Sequence, residues 1–226
     1  MKNDKFLYCY KMTHDTGFAP NPYFGVLTLA TCKPTIRRCA EEGCWISGWT
    51  SNVVQGKDKK YRFSDETQSL IYLAKVSSKI GIEKYWDLYE DKRPKKIYKG
   101  NQKTTHGCGG NSNAMSFVYN MGDNIYKPIK SEFEQLPNGG GHDNNNKQHD
   151  LSGKFVLVCE EFYYFGVEHA VPKTGIINDK NFVVPRCKKM LLNDPIANQI
   201  KKYVTDNYSQ GINQQKNENH IKPKRI

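Results

Sequence analysis

Residues 13–44 read THDTGFAPNPYFGVLTLATCKPTIRRCAEEGC, and few folds accommodate that order. Asp15, Gly17, Pro20, Asn21 and Pro22 are turn formers, so the chain after Thr13 is an irregular loop. Phe18, Tyr23 and Phe24 give that loop more apolar weight than a solvated connection carries. Residues 25–31 (GVLTLAT) then run as a strand. Pro34 stands where a first helical residue would, its missing N–H costing nothing there, and Gly43 is placed to end the helix. Arg37 and Glu41, and Arg38 and Glu42, are four apart, with Ile36, Cys39 and Ala40 on the opposite side: an amphipathic helix of about two and a half turns. One supersecondary unit thus carries His14, Asp15, Cys32, Lys33, Arg37 and Arg38.

The flanks extend this pattern. Residues 6–12 are aromatic and apolar and predict a core strand. WISGWTS (45–51) predicts a strand with Trp45, Ser47 and Trp49 on one face. Strands are also expected at 70–76, 115–119, 125–129, 155–160 and 162–167, with helices at 82–89 and, behind an Asp194 cap and Pro195, to about 208. Pro94 excludes a continuous helix from the cationic run DKRPKKIYKGNQK (91–103), and TTHGCGGNSN (104–113) reads as a glycine-rich loop. NGGGHDNNNKQHD (138–150) is almost free of apolar residues and is expected to be disordered. Strands joined by short turns, with few helices, argue for an α+β fold and a mixed, partly closed, barrel-like sheet flanked by short helices. Residues 1–208 form one domain in this reading; 209–226 are a basic, unfolded tail.

Charge narrows the partners. Thirty-four Lys+Arg against 23 Asp+Glu leave +11, so the surface field attracts polyanions, nucleic acid before an anionic membrane. No leader-like or membrane-spanning apolar window is present, and seven cysteines in a chain of this size do not read as a disulfide framework, so a cytoplasmic protein is expected. Neither GxxxxGK[ST] nor GxGxxG occurs, which disfavours the common nucleotide-hydrolysing and dinucleotide-binding enzymes. No paired CxxC spacing supports a structural zinc, and no metal or cofactor is implied.

Two overlapping sites can be read from the 13–44 unit. Cys32 lies at a strand-to-helix junction beside cationic side chains, a setting for a nucleophilic thiol, with His14 or Asp15 as acid/base if the loop folds back. The same helix start, with the Lys33 ammonium and the Arg37 guanidinium, suits a phosphate. Trp45 and Trp49 can stack a base whose polar edge Asn21, Thr50 or Ser51 would read.

The strings YKMTHDTGFAPNP, TLATCKPTIRR, GCWISGWTS, EKYW and FVLVCEEFYYFG resemble the nucleotide-modification-associated domain family, second type, over about residues 5–190. The order of elements is also similar to base-binding modules of the PUA, ASCH and EVE kind. Cys44 departs from the pattern, which leads one to expect an acidic residue there, and the Asn-rich stretch near 140 is peculiar to this chain. The resemblance implies a setting in DNA base modification or phage defence, and a domain that recognises or processes a nucleotide or modified base in nucleic acid, DNA in particular. Two alternatives accompany it: an enzyme that makes or edits a base modification through Cys32, and a sensor of a free small nucleotide.

Overall fold

The computed structural model describes residues 5–105, 111–179, 181–213 and 224–225. The strands are β1 (Phe6–Asp15), β2 (Leu27–Leu29), β3 (Trp45–Gly56), β4 (Lys60–Arg62), β5 (Ser69–Lys75), β6 (Ser78–Gly81), β7 (Lys96–Thr105) and β8 (Asn111–Tyr119). They continue as β9 (Tyr126–Ile129), β10 (Glu132–Gln135), β11 (Phe155–Cys159), β12 (Glu161–Tyr164), β13 (Val171–Pro172), β14 (Cys187–Leu191), β15 (Gly211–Ile212) and β16 (Lys224–Arg225). The helices are α1 (Pro34–Cys39), α2 (Ile82–Leu88), α3 (Asn144–Leu151), α4 (Lys173–Ile176) and α5 (Pro195–Asn207).

The fold is α+β and mostly sheet. Its main sheet runs β14-β1-β3-β5-β12-β15, with β4 and β13 attached to β3 and β5, and β16 to β4. No closed barrel forms among the described strands; the sheet has open ends. β1 and β3 are parallel neighbours, Leu7 opposite Trp45 and Thr50 opposite Met12. Parallel strands need a long crossover between them. Here that crossover contains the loop after Asp15, β2 and α1, so the topology itself carries residues 16–44 across one face of the sheet.

Both faces are covered. Even-numbered β1 residues Tyr8, Tyr10 and Met12 point to one core, shared with Leu27, Leu29, Ile36, Ile46 and Leu157. Leu7 and Cys9 point to the other, shared with Trp45, Trp49, Leu73 and the α5 residues Ala197, Ile200 and Val204. The period-two alternation of a strand explains the split. A small sheet β2-β11-β6 lies over the first face, and a third core with Phe18, Ile82, Tyr85, Ile125 and Val158 fills the space beyond it.

Local expectations fared unevenly. α2 and α5 form where expected, and Asp194 accepts hydrogen bonds from the Ile196 and Ala197 amides as the α5 cap. α1 stops at Cys39, short of Gly43, which instead adopts φ 82° in the turn before β3. The early stop leaves Glu41 and Glu42 outside the helix, so the arginine–glutamate pairs do not form: Glu41 meets Lys79 and Arg38 donates to the Ser152 carbonyl. The cationic run contributes β7, and residues 138–150, expected to be disordered, form a tight loop and α3. The glycine-rich loop lies outside the described residues at 106–110, as does most of the tail, whose described parts pair as β15 with β12 and as β16 with β4.

Candidate active site

The cysteine sits on a sharp turn. Between β2 and α1 both Cys32 (φ 55°) and Lys33 (φ 40°) adopt left-handed backbone conformations, which cost L-residues roughly 1–2 kcal/mol each. Pro34 then opens α1. The turn is held from outside: the Cys32 amide donates to Asp150 Oδ1 at 2.7 Å, and the Cys32 carbonyl accepts from Arg37 Nη1 at 3.2 Å. A strained, strand-to-helix turn that presents a thiol at its apex is a nucleophile-type geometry.

Its partners come from α3 and the loop before it. Asp143 and Asn146 form a reciprocal capping box at the α3 start. Asn138 ties the preceding loop, accepting from the Gly140 and His142 amides and donating to the His142 carbonyl. So fixed, His142 Nε2 lies 3.5 Å from Cys32 Sγ, and His142 Nδ1 lies 2.6 Å from Asp150 Oδ2. The Tyr126 hydroxyl donates to the same carboxylate oxygen at 2.7 Å, and the Phe18 ring stacks at a tilt, 5.0 Å from the imidazole. Thiol, imidazole and carboxylate are thus joined by successive contacts through the ring.

Electrostatics match this order. Burial opposes charging of His142, but its hydrogen bonds to Asp150 and Cys32 outweigh that, and the imidazolium pKa is pushed up to about 10. Burial would raise Asp150, yet His142, the Cys32 amide and Tyr126 hold it below the usual carboxylate range. Burial and the neighbouring Asp150 push the Tyr126 phenol up, so it stays a donor. An imidazolium oriented by a carboxylate is the partner a thiolate nucleophile needs.

Ligand atoms of Cys32, His142 and Asp150 all lie within 4.8 Å of one another, which also invites a metal. In this structure both ring nitrogens already have protein partners, Nε2 the sulfur and Nδ1 the carboxylate, which is the pattern of a hydrogen-bonded relay.

Cys32 opens onto a cavity of about 400 Å³ whose walls include Tyr10, Met12, His14, Lys33, Thr35 and His149. That volume suits a nucleoside-sized ligand. The Lys33 ammonium, 4.6 Å from the Tyr10 ring centre, is the cation beside the sulfur; burial lowers its pKa.

Of the residues singled out in the sequence, Cys32, Lys33 and His14 meet at this cavity. His14 lines the wall but its ring bonds Thr13, and the imidazole at the sulfur belongs to His142. The remaining residues lie away from this cavity. Asp15 is buried away from Cys32, bound to the Tyr164 hydroxyl and the Val167 amide, and burial raises its pKa. Arg37 has no solvent-exposed surface and offers no hand to a phosphate: it donates to the carbonyls of Phe155, Cys32 and Asp150. Trp45 and Trp49 do share a strand face, but that face is packed beneath α5, and the Trp49 indole donates to Ser47. Asn21 is buried and bonded to Met121, Tyr23 and Lys92; Thr50 accepts from the Ser69 amide; Ser51 bonds the Val53 carbonyl. None of these lines the Cys32 cavity.

Two glycines let the pieces meet. A Cβ on Gly153 would lie 2.5 Å from Arg37 Cζ, and one on Gly140 would lie 2.2 Å from the Phe18 ring. The guanidinium is pinned by its carbonyls and cannot retreat, so Gly153→Ala is expected to cost about 1–3 kcal/mol, read as a lowered denaturation midpoint; an unchanged midpoint would show that the contact gives way freely.

Fold and site together define an α+β protein with a cysteine–histidine–aspartate relay whose cysteine lines a nucleoside-sized cavity. The chain belongs to the nucleotide modification associated domain 2 family, whose model matches residues 4–222. No curated protein and no solved structure matches it. Among the described residues no helix is long and apolar enough to cross a membrane.

Proposed function

We propose that the protein is a thiol-dependent enzyme that acts on a nucleotide or on a modified base, cleaving an amide- or ester-type bond of the modification. The observation that carries this is the pair of contacts from Cys32 Sγ to His142 and from His142 to Asp150, at 3.5 and 2.6 Å. The family's association with nucleotide modification supplies the substrate class. Cys32 gives its proton to His142 and attacks the acyl carbon, the bond to the leaving amine or alcohol breaks as His142 hands that proton on to it, and a thioester remains on Cys32. Water, deprotonated by His142, then releases the acid and restores the thiol. Asp150 holds the ring with Nε2 toward the sulfur. Because the Cys32 amide is already given to Asp150, the Lys33 ammonium is the charge available to the developing oxyanion or to a substrate phosphate.

A reader that stacks a base between indoles is less well supported, since Trp45 and Trp49 are core. The test is a panel of nucleotides carrying acylated or amidated bases, followed by mass spectrometry. Wild type converts at least one member and traps a thioester on Cys32; Cys32→Ser converts none yet still gains thermal stability from the same ligand. Equal conversion by both proteins, or none by either alongside slow alkylation of Cys32, overturns the proposal.

A further inference from the structure

β7 and β8 pair only with each other among the described strands, Lys96 opposite Tyr119, Ile97 opposite Val118 and Tyr98 opposite Phe117. Side chains directly opposite share a face. One face of this arm therefore carries Lys96, Tyr98 and Phe117. Tyr98 is 53% exposed and Phe117 40%, although aromatic rings of that size are normally spent on a core. The rings lie 5.5 Å apart at 58°, and Lys96 Nζ stands 4.0 Å over Phe117. Lys99 is also exposed, and β7 and β8 contain no acidic residue. None of these side chains belongs to the three core clusters.

The arm is rooted at the active site. Asn120, next after β8, accepts a hydrogen bond from the Gly139 amide, three residues before His142, and Met121 accepts from Asn21 of the crossover loop. Anything lying along the arm leads to the loop that holds the imidazole.

Resting on the enzymatic reading above, we infer that the β7–β8 arm grips single-stranded nucleic acid, so that the base acted on belongs to a polymer rather than to a free nucleotide. Exposed rings accept unpaired bases by stacking, and the neighbouring lysines neutralise phosphates; this is how proteins hold single strands without reading sequence. A duplex hides the faces that the rings need. A second copy of the chain would bring like-charged lysines face to face, with no acid on either arm to offset them.

The test is fluorescence anisotropy with a labelled single-stranded DNA of about 16 nucleotides at about 50 mM salt. Wild type is expected to bind with an affinity that falls steeply as salt rises. Tyr98→Ala/Phe117→Ala, and separately Lys96→Glu/Lys99→Glu, are expected to weaken binding about tenfold or more, while Cys32→Ser binds as wild type. Both double variants should keep the wild-type circular dichroism spectrum and melting midpoint, since the altered side chains are exposed. Equal binding by the ring-deleted variant, equal affinity of wild type for duplex and single strand, or a wild-type dimer that the ring deletions dissociate would each overturn the inference. Fast alkylation of Cys32 with no oligonucleotide binding sinks the arm alone. Arm-dependent binding with an inert Cys32 sinks the enzymatic reading and leaves the arm standing.

Discussion

His142→Ala is expected to slow alkylation of Cys32 by iodoacetamide at neutral pH by about a hundredfold or more, with the exposed Cys39 and Cys187 serving as internal references in the same mass spectrum. The imidazole is the group that touches the sulfur, whereas Asp150 acts through that ring and through the Cys32 amide it accepts from, so Asp150→Asn, which keeps an acceptor for that amide, should show a smaller loss. The same variant has a signature in stability. Because the folded-state pKa of His142 is raised from 6.5 to about 10, its charge stabilises the fold fully below about pH 6.5, and that contribution fades as pH rises through about 10. The stability gap between wild type and His142→Ala should therefore be widest in mild acid and close in alkali. Similar alkylation of all three cysteines, or a gap that widens with pH, would remove the relay.

Arg37→Met is expected to be the most damaging single change to the fold, at about 3–5 kcal/mol in urea denaturation. Methionine fills the volume but leaves the carbonyls of Cys32, Asp150 and Phe155 without the donors they now have. Those three groups belong to the turn that carries the thiol, to the helix that carries the carboxylate and to the strand beyond it. Losing the clamp should also relax the left-handed pair at Cys32 and Lys33 and slow alkylation. Burial lowers the Arg37 pKa to about 10, with Asp150 pulling the other way, so the side chain is charged at neutral pH and its removal strips a buried cation from beside Asp150. A loss under about 1 kcal/mol would show that the guanidinium is an ordinary surface-like contact.

One of the relay's three members was legible in the sequence. Cys32 could be found because Pro34 fixes where α1 starts, and a thiol just before a helix is chemically conspicuous. His142 and Asp150 were hidden by composition: α3 has no apolar face, and its loop is held by the side chains of Asn138 and Asp143 instead of by a core. The D-x-x-N spacing of Asp143 and Asn146 was the available signal, a capping box with Asn in place of Glu or Gln. Arg37 misled for a different reason. Its acid partner four residues on implied a solvated helix face, but the helix ends before that partner is reached. The tryptophans were placed on the correct shared face, yet nothing local to β3 tells that α5, some 150 residues later, covers that face.

Cys32 and His142 are separated by 110 positions in the chain. A ribosome that has emitted the first hundred residues has therefore released the thiol without its activating base. On the enzymatic reading proposed above, the nascent polypeptide is expected to be chemically quiet at this position until β11 pairs with β2 and α3 comes alongside. In that reading, assembly of the small sheet doubles as the step that arms the protein.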